Sequence, residues 1–217
     1  MPKNVLLGID IGTSSCKVGV FTLEGEALGM ATHPYEILRN TAYEAEQDAE
    51  EWWQATCLCI QSLLSANAFA PHEVAAIGVV GHSWATLPVD EKGNPLRNAM
   101  LWLDRRSLQE CRYLEEVVGE QHILELSGNR IDPAYCVPKM LWIRNNEPEI
   151  YAKAYRFLQS NSFIVHKLTD VFTQDASQGY GYYVFDTERR SWSWEACEVM
   201  GIERQLLPEV YESVAVV

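Results

Sequence analysis

Gly8-Ile9-Asp10-Ile11-Gly12-Thr13-Ser14-Ser15-Cys16-Lys17 puts an acidic residue at the end of one apolar run, a Gly/Thr/Ser bend after it, and a basic residue at the start of a second run. The flanks decide what kind of bend this is. Val5 to Ile9 is a short apolar strand and Lys17 to Thr22 continues with β-type residues, so the bend joins two strands of a hairpin. A Walker loop or a dinucleotide-binding turn runs instead into a helix whose N-terminus faces the phosphates, and no helical period follows Ser15. Phosphate binding would therefore fall to backbone N–H groups and to the Thr13, Ser14 and Ser15 hydroxyls, with Asp10 holding a magnesium ion through its water shell. The alternative is a hairpin turn with no ligand.

Outward from the bend, Ala27 to Thr32 supplies a third strand, and Leu23-Glu24-Gly25-Glu26 the turn before it. Asp48-Ala49-Glu50-Glu51 reads as a capping box in which Asp48 accepts from the Glu51 backbone and Glu51 reaches back. Trp53, Cys57, Ile60 and Leu64 follow at helical spacing, a stripe expected to lie on the sheet. Val74 to Val80 is a continuous apolar run of the kind found in buried parallel strands, and Trp84 to Val89 is a further strand closed by Asp90-Glu91-Lys92-Gly93. A meander, a helix and then a buried strand predict an α/β fold of the ribonuclease H-like kind, the scaffold of actin and hexokinase ATPases. The expected sheet is mixed and five-stranded, with flanking helices and an α-rich insertion.

With 217 residues, 47% of them hydrophobic, the chain is long enough for a substantial core. Its net charge of −13 argues against nucleic acid or an anionic membrane surface as partner, since both need a basic footprint. Six cysteines without zinc spacing suit a reducing compartment. No basic-then-apolar leader opens the chain, and no run approaches the ~20 apolar residues of a membrane span, so a cytoplasmic protein is expected.

Four segments, in order, resemble the FGGY carbohydrate kinase family, most of all its xylulokinase-type pentulose kinases. Gly8 to Ser14 is similar to the family's first phosphate motif, and Ala45-Glu46-Gln47-Asp48-Ala49-Glu50-Glu51-Trp52-Trp53 to its EQDPExWW segment. Leu101-Trp102-Leu103-Asp104-Arg105-Arg106 resembles its LWxDxR segment, and Lys139-Met140-Leu141-Trp142 its KLLW segment. The resemblance implies transfer of the ATP γ-phosphoryl group to a sugar or polyol hydroxyl with magnesium as the charge-neutralising ion, chemistry that rests on positioning and electrostatics. It assigns Asp10 to the metal and Gly12, Thr13, Ser14 and Ser15 to the phosphates. Lys17 could approach the phosphates or simply begin a strand at the surface.

The resemblance places sugar recognition at Gly81-His82-Ser83-Trp84, where xylulokinase-like members carry Gly-Gln-Met-His and glycerol kinase-like members Asn-Gln-Arg-Glu. Ser83 and Trp84 take the place of the substrate-contacting pair, which points to an altered acceptor. His82 has two readings, a sugar contact or a satisfied loop histidine. Among seven tryptophans, Trp102 is the one the resemblance sets beside a polyol, and with Asp104 it is a pocket candidate. Most of the others are packing residues, Trp53 on the helix stripe and Trp142 on the apolar face of a helix after Pro138. Arg105 and Arg106 precede a second capping box, Ser107-Leu108-Gln109-Glu110, and have that structural explanation. Tyr135 is a further acceptor-side candidate.

Further along, 107–118 and 161–168 read as helices, Ser127-Gly128 as a helix stop, and Gly179 to Phe185 as a strand or its flank. Phe172 to Ser177 reads as an Asp/Ser turn without a catalytic role. In the family the general base is an aspartate in a glycine-rich turn, and none occurs between Asp186 and Val217. The expectation is thus an incomplete N-terminal domain spanning 1–217, with the base beyond Val217 and the nucleotide-closing domain absent, inactive alone. Uncovered interface surface makes a homodimer one expected association. A non-catalytic sugar- or nucleotide-binding module on the same fold is the alternative.

Overall fold

The computed structural model describes residues 4–217. Strand β1 (Val5–Ile11) is the centre of a sheet in which β2 (Ser15–Thr22) pairs antiparallel with it and β3 (Ala27–Pro34) pairs antiparallel with β2. A two-residue strand, β4 (Glu46–Gln47), precedes helix α1 (Ala49–Ser65), and β5 (Val74–Gly81) returns parallel to β1. The order is β3-β2-β1-β5. Along β1 the side chains of Val5, Leu7, Ile9 and Ile11 alternate into the core, the period-2 pattern of a strand with one covered face.

Helix α1 covers that face with Trp52, Ala55, Thr56, Cys59 and Leu63. The expected stripe of Trp53, Cys57, Ile60 and Leu64 is one position off and only half-buried. Trp52 wins the inward place because its indole N–H has a buried acceptor, donating to Gln47 Oε1 at 3.0 Å. The N-cap also differs in detail from the capping box. Asp48 accepts from the Glu50 N–H at 2.9 Å, and Glu51 does not reach back.

The sheet has four strands among the described residues, not five. The segment expected as the fifth contributes β6 (Leu87–Val89), which leaves the sheet and pairs antiparallel with β8 (Arg156–Leu158) beyond β7 (Ala99–Met100). Pro88 lacks the N–H that an interior sheet position needs. The Val74 to Val80 run is parallel as expected but not buried. Its far edge carries no partner among the described residues, and Val80 is 62% exposed. Beside that edge runs a groove of about 440 Å³, lined by the strand, by Val165 and Leu168, and by Tyr211, Ala215, Val216 and Val217.

A second apolar core gathers helices α2 (Leu108–Val117), α3 (Glu120–Ser127), α4 (Cys136–Asn146) and α5 (Pro148–Lys153) around Met140, Tyr182, Tyr183 and Phe185. Gly128, at φ +74°, ends α3 as the sequence predicts. Ser107 precedes α2 but makes no capping bond, its hydroxyl donating instead to Pro133 O. Helix α6 (Ser160–Thr169) follows β8, and 173–175 form a short strand instead of the expected turn, with the Asp175 carboxylate still accepting from Ser177 N. Gly179–Gly181 is a 3-10 turn and the run flanks a short strand that Phe185–Asp186 forms with Ser191–Trp192. No helix among the described residues is long and apolar enough to cross a membrane.

Candidate functional site

Parallel β1 and β5 end side by side, Ile11 opposite Gly81, so the bend after β1 and the turn after β5 are neighbours. The His82 N–H donates to Ile11 O at 2.7 Å and joins them. In open α/β sheets, ligand crevices form at such carboxyl ends.

In the 12–15 bend every carbonyl is occupied. Gly12 O accepts from the Tyr35 hydroxyl at 2.5 Å, and Thr13 O from the Gln47 amide at 2.8 Å. Ser14 O accepts from Tyr35 N at 3.2 Å, and Ser15 O from Gly12 N at 3.0 Å. The N–H groups of Thr13 and Ser14 donate to no protein acceptor among the described residues. Such a bend turns its acceptors inward and leaves donors for an anion. Gly12 differs from the expectation, since its N–H is used within the bend.

Asp10 is the last outward-facing residue of β1. Its side chain is 45% exposed and sits across the strands from Lys17, whose ammonium is 3.6 Å from Oδ2. No cluster of three His, Cys, Asp or Glu side chains suited to a metal occurs among the described residues. A lone, accessible carboxylate fits a metal that takes its other ligands from water and phosphate oxygens.

Trp102 is half-exposed, and its indole N–H donates to the Thr13 hydroxyl at 3.3 Å, which brings the Leu101–Arg106 segment to the bend. Asp104 does not share that position. It is fully buried and accepts from Ala45 N at 2.9 Å, Arg106 N at 3.1 Å and the Arg106 guanidinium at 2.7 Å, so it braces the segment and presents no oxygen to a pocket. Arg106 also reaches Glu46 at 2.6 Å and stacks its guanidinium 4.8 Å from the Trp142 ring. Arg105 instead forms a two-bond pair with Asp132.

At the β5 end, His82 faces inward. Its Nδ1 lies 3.1 Å from Ile11 O and its ring packs edge-on against Trp52, while its Nε2 has no partner among the described residues. Burial pulls its pKa down to about 4, and the ring is neutral at pH 7. Ser83 Oγ is 3.4 Å from the Tyr180 hydroxyl. Trp84 has φ +67°, the left-handed region that side-chain-bearing residues avoid, and its ring packs 4.5 Å from Tyr135 and 5.9 Å from Tyr180. The Trp84 Nε1 has no partner among the described residues. Tyr135 donates its hydroxyl to Asn129 Oδ1 at 2.9 Å.

The structure thus brings together Asp10, Thr13, Ser14, Ser15, Lys17 and Trp102, with Ser83, Trp84 and Tyr135 on a second wall. Sequence reasoning missed the residues that hold these in place: Tyr35, Gln47, Lys139, Gln159 and Tyr180. Gln47 and Lys139 lie inside recognised segments, the one signal that pointed at them. Tyr35, Gln159 and Tyr180 carry no local signal.

A sheet of this order, with the bend and the turn at adjacent strand ends, defines an α/β domain of the actin and hexokinase ATPase type. The chain belongs to the FGGY family of carbohydrate kinases, matching that family's N-terminal domain over residues 5–217. It is 32% identical to the xylulose kinase of Escherichia coli K12 over 206 residues, covering 95% of this chain and 42% of that protein. The xylulose kinase of Bacillus subtilis is 29% identical over 208 residues, 96% of this chain and 42% of that protein. Among solved structures, a xylulose kinase from Brucella ovis superposes with a TM-score of 0.88 at 27% identity, across 95% of this chain and 42% of that one. The chain therefore spans about two-fifths of the length of these relatives.

Proposed function

We propose that this chain is the phosphate- and acceptor-binding N-terminal domain of a longer ATP-dependent carbohydrate kinase of the xylulokinase type, with a sugar or polyol hydroxyl as the acceptor. The observation that carries the reading is the bend in which all four carbonyls are tied and the Thr13 and Ser14 N–H groups are left over. Those donors and the Thr13, Ser14 and Ser15 hydroxyls hold phosphate oxygens, and a fixed backbone spends little on reorganising as charge shifts in transfer. Asp10 would hold magnesium through water, and the ion, when bound, neutralises charge between the β- and γ-phosphates. Lys17 either contributes to the same charge balance or sets the carboxylate orientation through its ion pair. Trp102 beside the bend, with Ser83, Trp84 and Tyr135 on the second wall, shapes the acceptor side.

None of the three nearby aspartates is placed to take the hydroxyl proton, Asp132 having its oxygens on Arg105 and Ala134 N. Asp104 has both oxygens committed, and Asp10 serves the metal. In this reading the base lies outside these 217 residues, and the chain alone turns over no sugar. The unpaired edge of β5 is where a fifth strand would add. The six unpaired thiols support a cytoplasmic setting.

The test is a coupled ADP-release assay on the longer protein with xylulose, glycerol and gluconate. Activity with at least one of these acceptors that falls ~100-fold or more in Asp10→Asn is the expected result, the scale of removing a metal-side charge. Activity unchanged by that substitution, or ADP release by the 217-residue chain alone, contradicts the proposal.

A further inference from the structure

Lys139, on α4, is fully buried, yet no carboxylate lies within ion-pair distance of it among the described residues. Its ammonium donates to two backbone carbonyls, Trp84 O at 2.7 Å and Ala134 O at 2.6 Å. Burying an unpaired charge is costly, and packing alone is served as well by an apolar side chain of the same length. What the ammonium does here that methionine cannot is join two segments 50 residues apart in sequence.

One of those carbonyls belongs to the strained residue of the site. Trp84, at φ +67°, is held at both ends: its N–H donates to Gln159 Oε1 at 2.8 Å, and its carbonyl accepts from Lys139. Gln159 is itself fully buried and fixed by bonds from its Nε2 to Gln178 O and Gln174 Oε1. A left-handed non-glycine residue costs on the order of 1–3 kcal/mol and persists only where its surroundings over-determine it. The indole then lies directly on the Gly181 backbone, where an added Cβ would come within 2.5 Å of Trp84 Cδ1. The other carbonyl, Ala134 O, directly precedes Tyr135, whose ring packs on Trp84.

We infer that Lys139 is a positioning residue for acceptor specificity, its buried ammonium holding the Trp84 turn and the Ala134–Tyr135 segment as one rigid wall. The inference rests on the proposed acceptor role of that wall and deepens it. Burial lowers the Lys139 pKa to about 8, so the ammonium form is still the main one at neutral pH. Lys139 touches neither the Gly12–Ser15 bend nor Asp10, so its effect falls on the acceptor side and not on the phosphate side.

The test compares the 217-residue chain with Lys139→Met and the milder Lys139→Gln, by amide NMR and by titration with xylulose. Expected in both variants are shifts of the Trp84 and Tyr135 amides while the Thr13 and Ser14 amides stay in place. Xylulose binding should weaken ~10-fold in Lys139→Met, the factor for a wall that holds its binding geometry only a tenth of the time, and less in Lys139→Gln, which keeps a donor. Unmoved Trp84 and Tyr135 amides in Lys139→Gln, or wild-type xylulose affinity in Lys139→Met, overturns the inference. Equal disturbance of the Thr13 and Ser14 amides also overturns it, because Lys139 would then be a general stability residue. If the wild-type chain takes no xylulose, the acceptor reading fails, and the amide comparison alone still decides whether Lys139 couples the two segments.

Discussion

The Gly12–Ser15 bend and the Trp84 turn sit at adjacent strand ends, and both are fixed through their backbones, but what each has left to offer a ligand is opposite. The bend has its carbonyls tied down and its Thr13 and Ser14 N–H groups free. The turn has spent the N–H and carbonyl of Trp84 on Gln159 and Lys139, and presents side chains: the Ser83 hydroxyl and the Trp84 indole. A site that binds through backbone donors tolerates changes of side chain and suits a ligand part common to many reactions, the phosphates. A site that binds through side chains changes its ligand whenever they change. In the proposed reading that second site is the turn carrying Ser83 and Trp84, and acceptor specificity is assigned to it.

Substitutions that strike one region or both sharpen the contrast. Trp52 lies under both, bonded to Gln47 behind the bend and packed against His82 behind the turn. Trp52→Ala should cost ~3–5 kcal/mol in urea unfolding, as for a large buried aromatic; a loss under ~1 kcal/mol would show that the regions share no core. Gly81→Ala comes next. An added Cβ would sit 2.4 Å from Ser160 Oγ and 3.0 Å from Asn161 N, so overpacking at the start of the turn should cost ~1–3 kcal/mol and move the Trp84 amide more than that of Thr13.

His82→Gln addresses pH. The folded-state pKa of about 4 lies below the unfolded value of ~6.5, so between these values the unfolded state binds more protons and stability falls as pH drops from 6.5 towards 4. Removing the imidazole should flatten that part of the acid limb in a pH series of melts; an unchanged slope would mean that His82 is not buried neutral. The smallest effect belongs to Tyr35→Phe, which removes one hydroxyl bond to Gly12 O and should cost ~0.5–1.5 kcal/mol. Amide exchange should quicken at the bend and not at the turn.

The same contrast explains what could be read without coordinates. The bend is contiguous, its strand partners are adjacent in sequence, and its chemistry is legible in ten residues. The helix start at Asp48 and the Gly128 stop were legible for the same reason, being local. The turn is assembled from 82–84, 129–135, 139, 159 and 178–183, and no period or spacing announces that Lys139 and Trp84 meet. Asp104 shows the limit from the other side. Its position in a recognised segment suggested a pocket residue, but only tertiary packing reveals Ala45 and Arg106 consuming its oxygens. Pro88 keeps its segment out of the sheet against the apolar run around it, a local signal opposed by another local signal.

The measurement that reaches the centre of the account is an amide NMR titration of the 217-residue chain with magnesium and ATP at millimolar concentration, since half a cleft binds nucleotide weakly. The account predicts saturable shifts led by the Thr13 and Ser14 amides, with the magnesium-dependent part lost in Asp10→Asn and the Trp84 amide little changed. Thr13 and Ser14 amides that stay in place at saturating nucleotide, or shifts centred elsewhere on the chain, would contradict it.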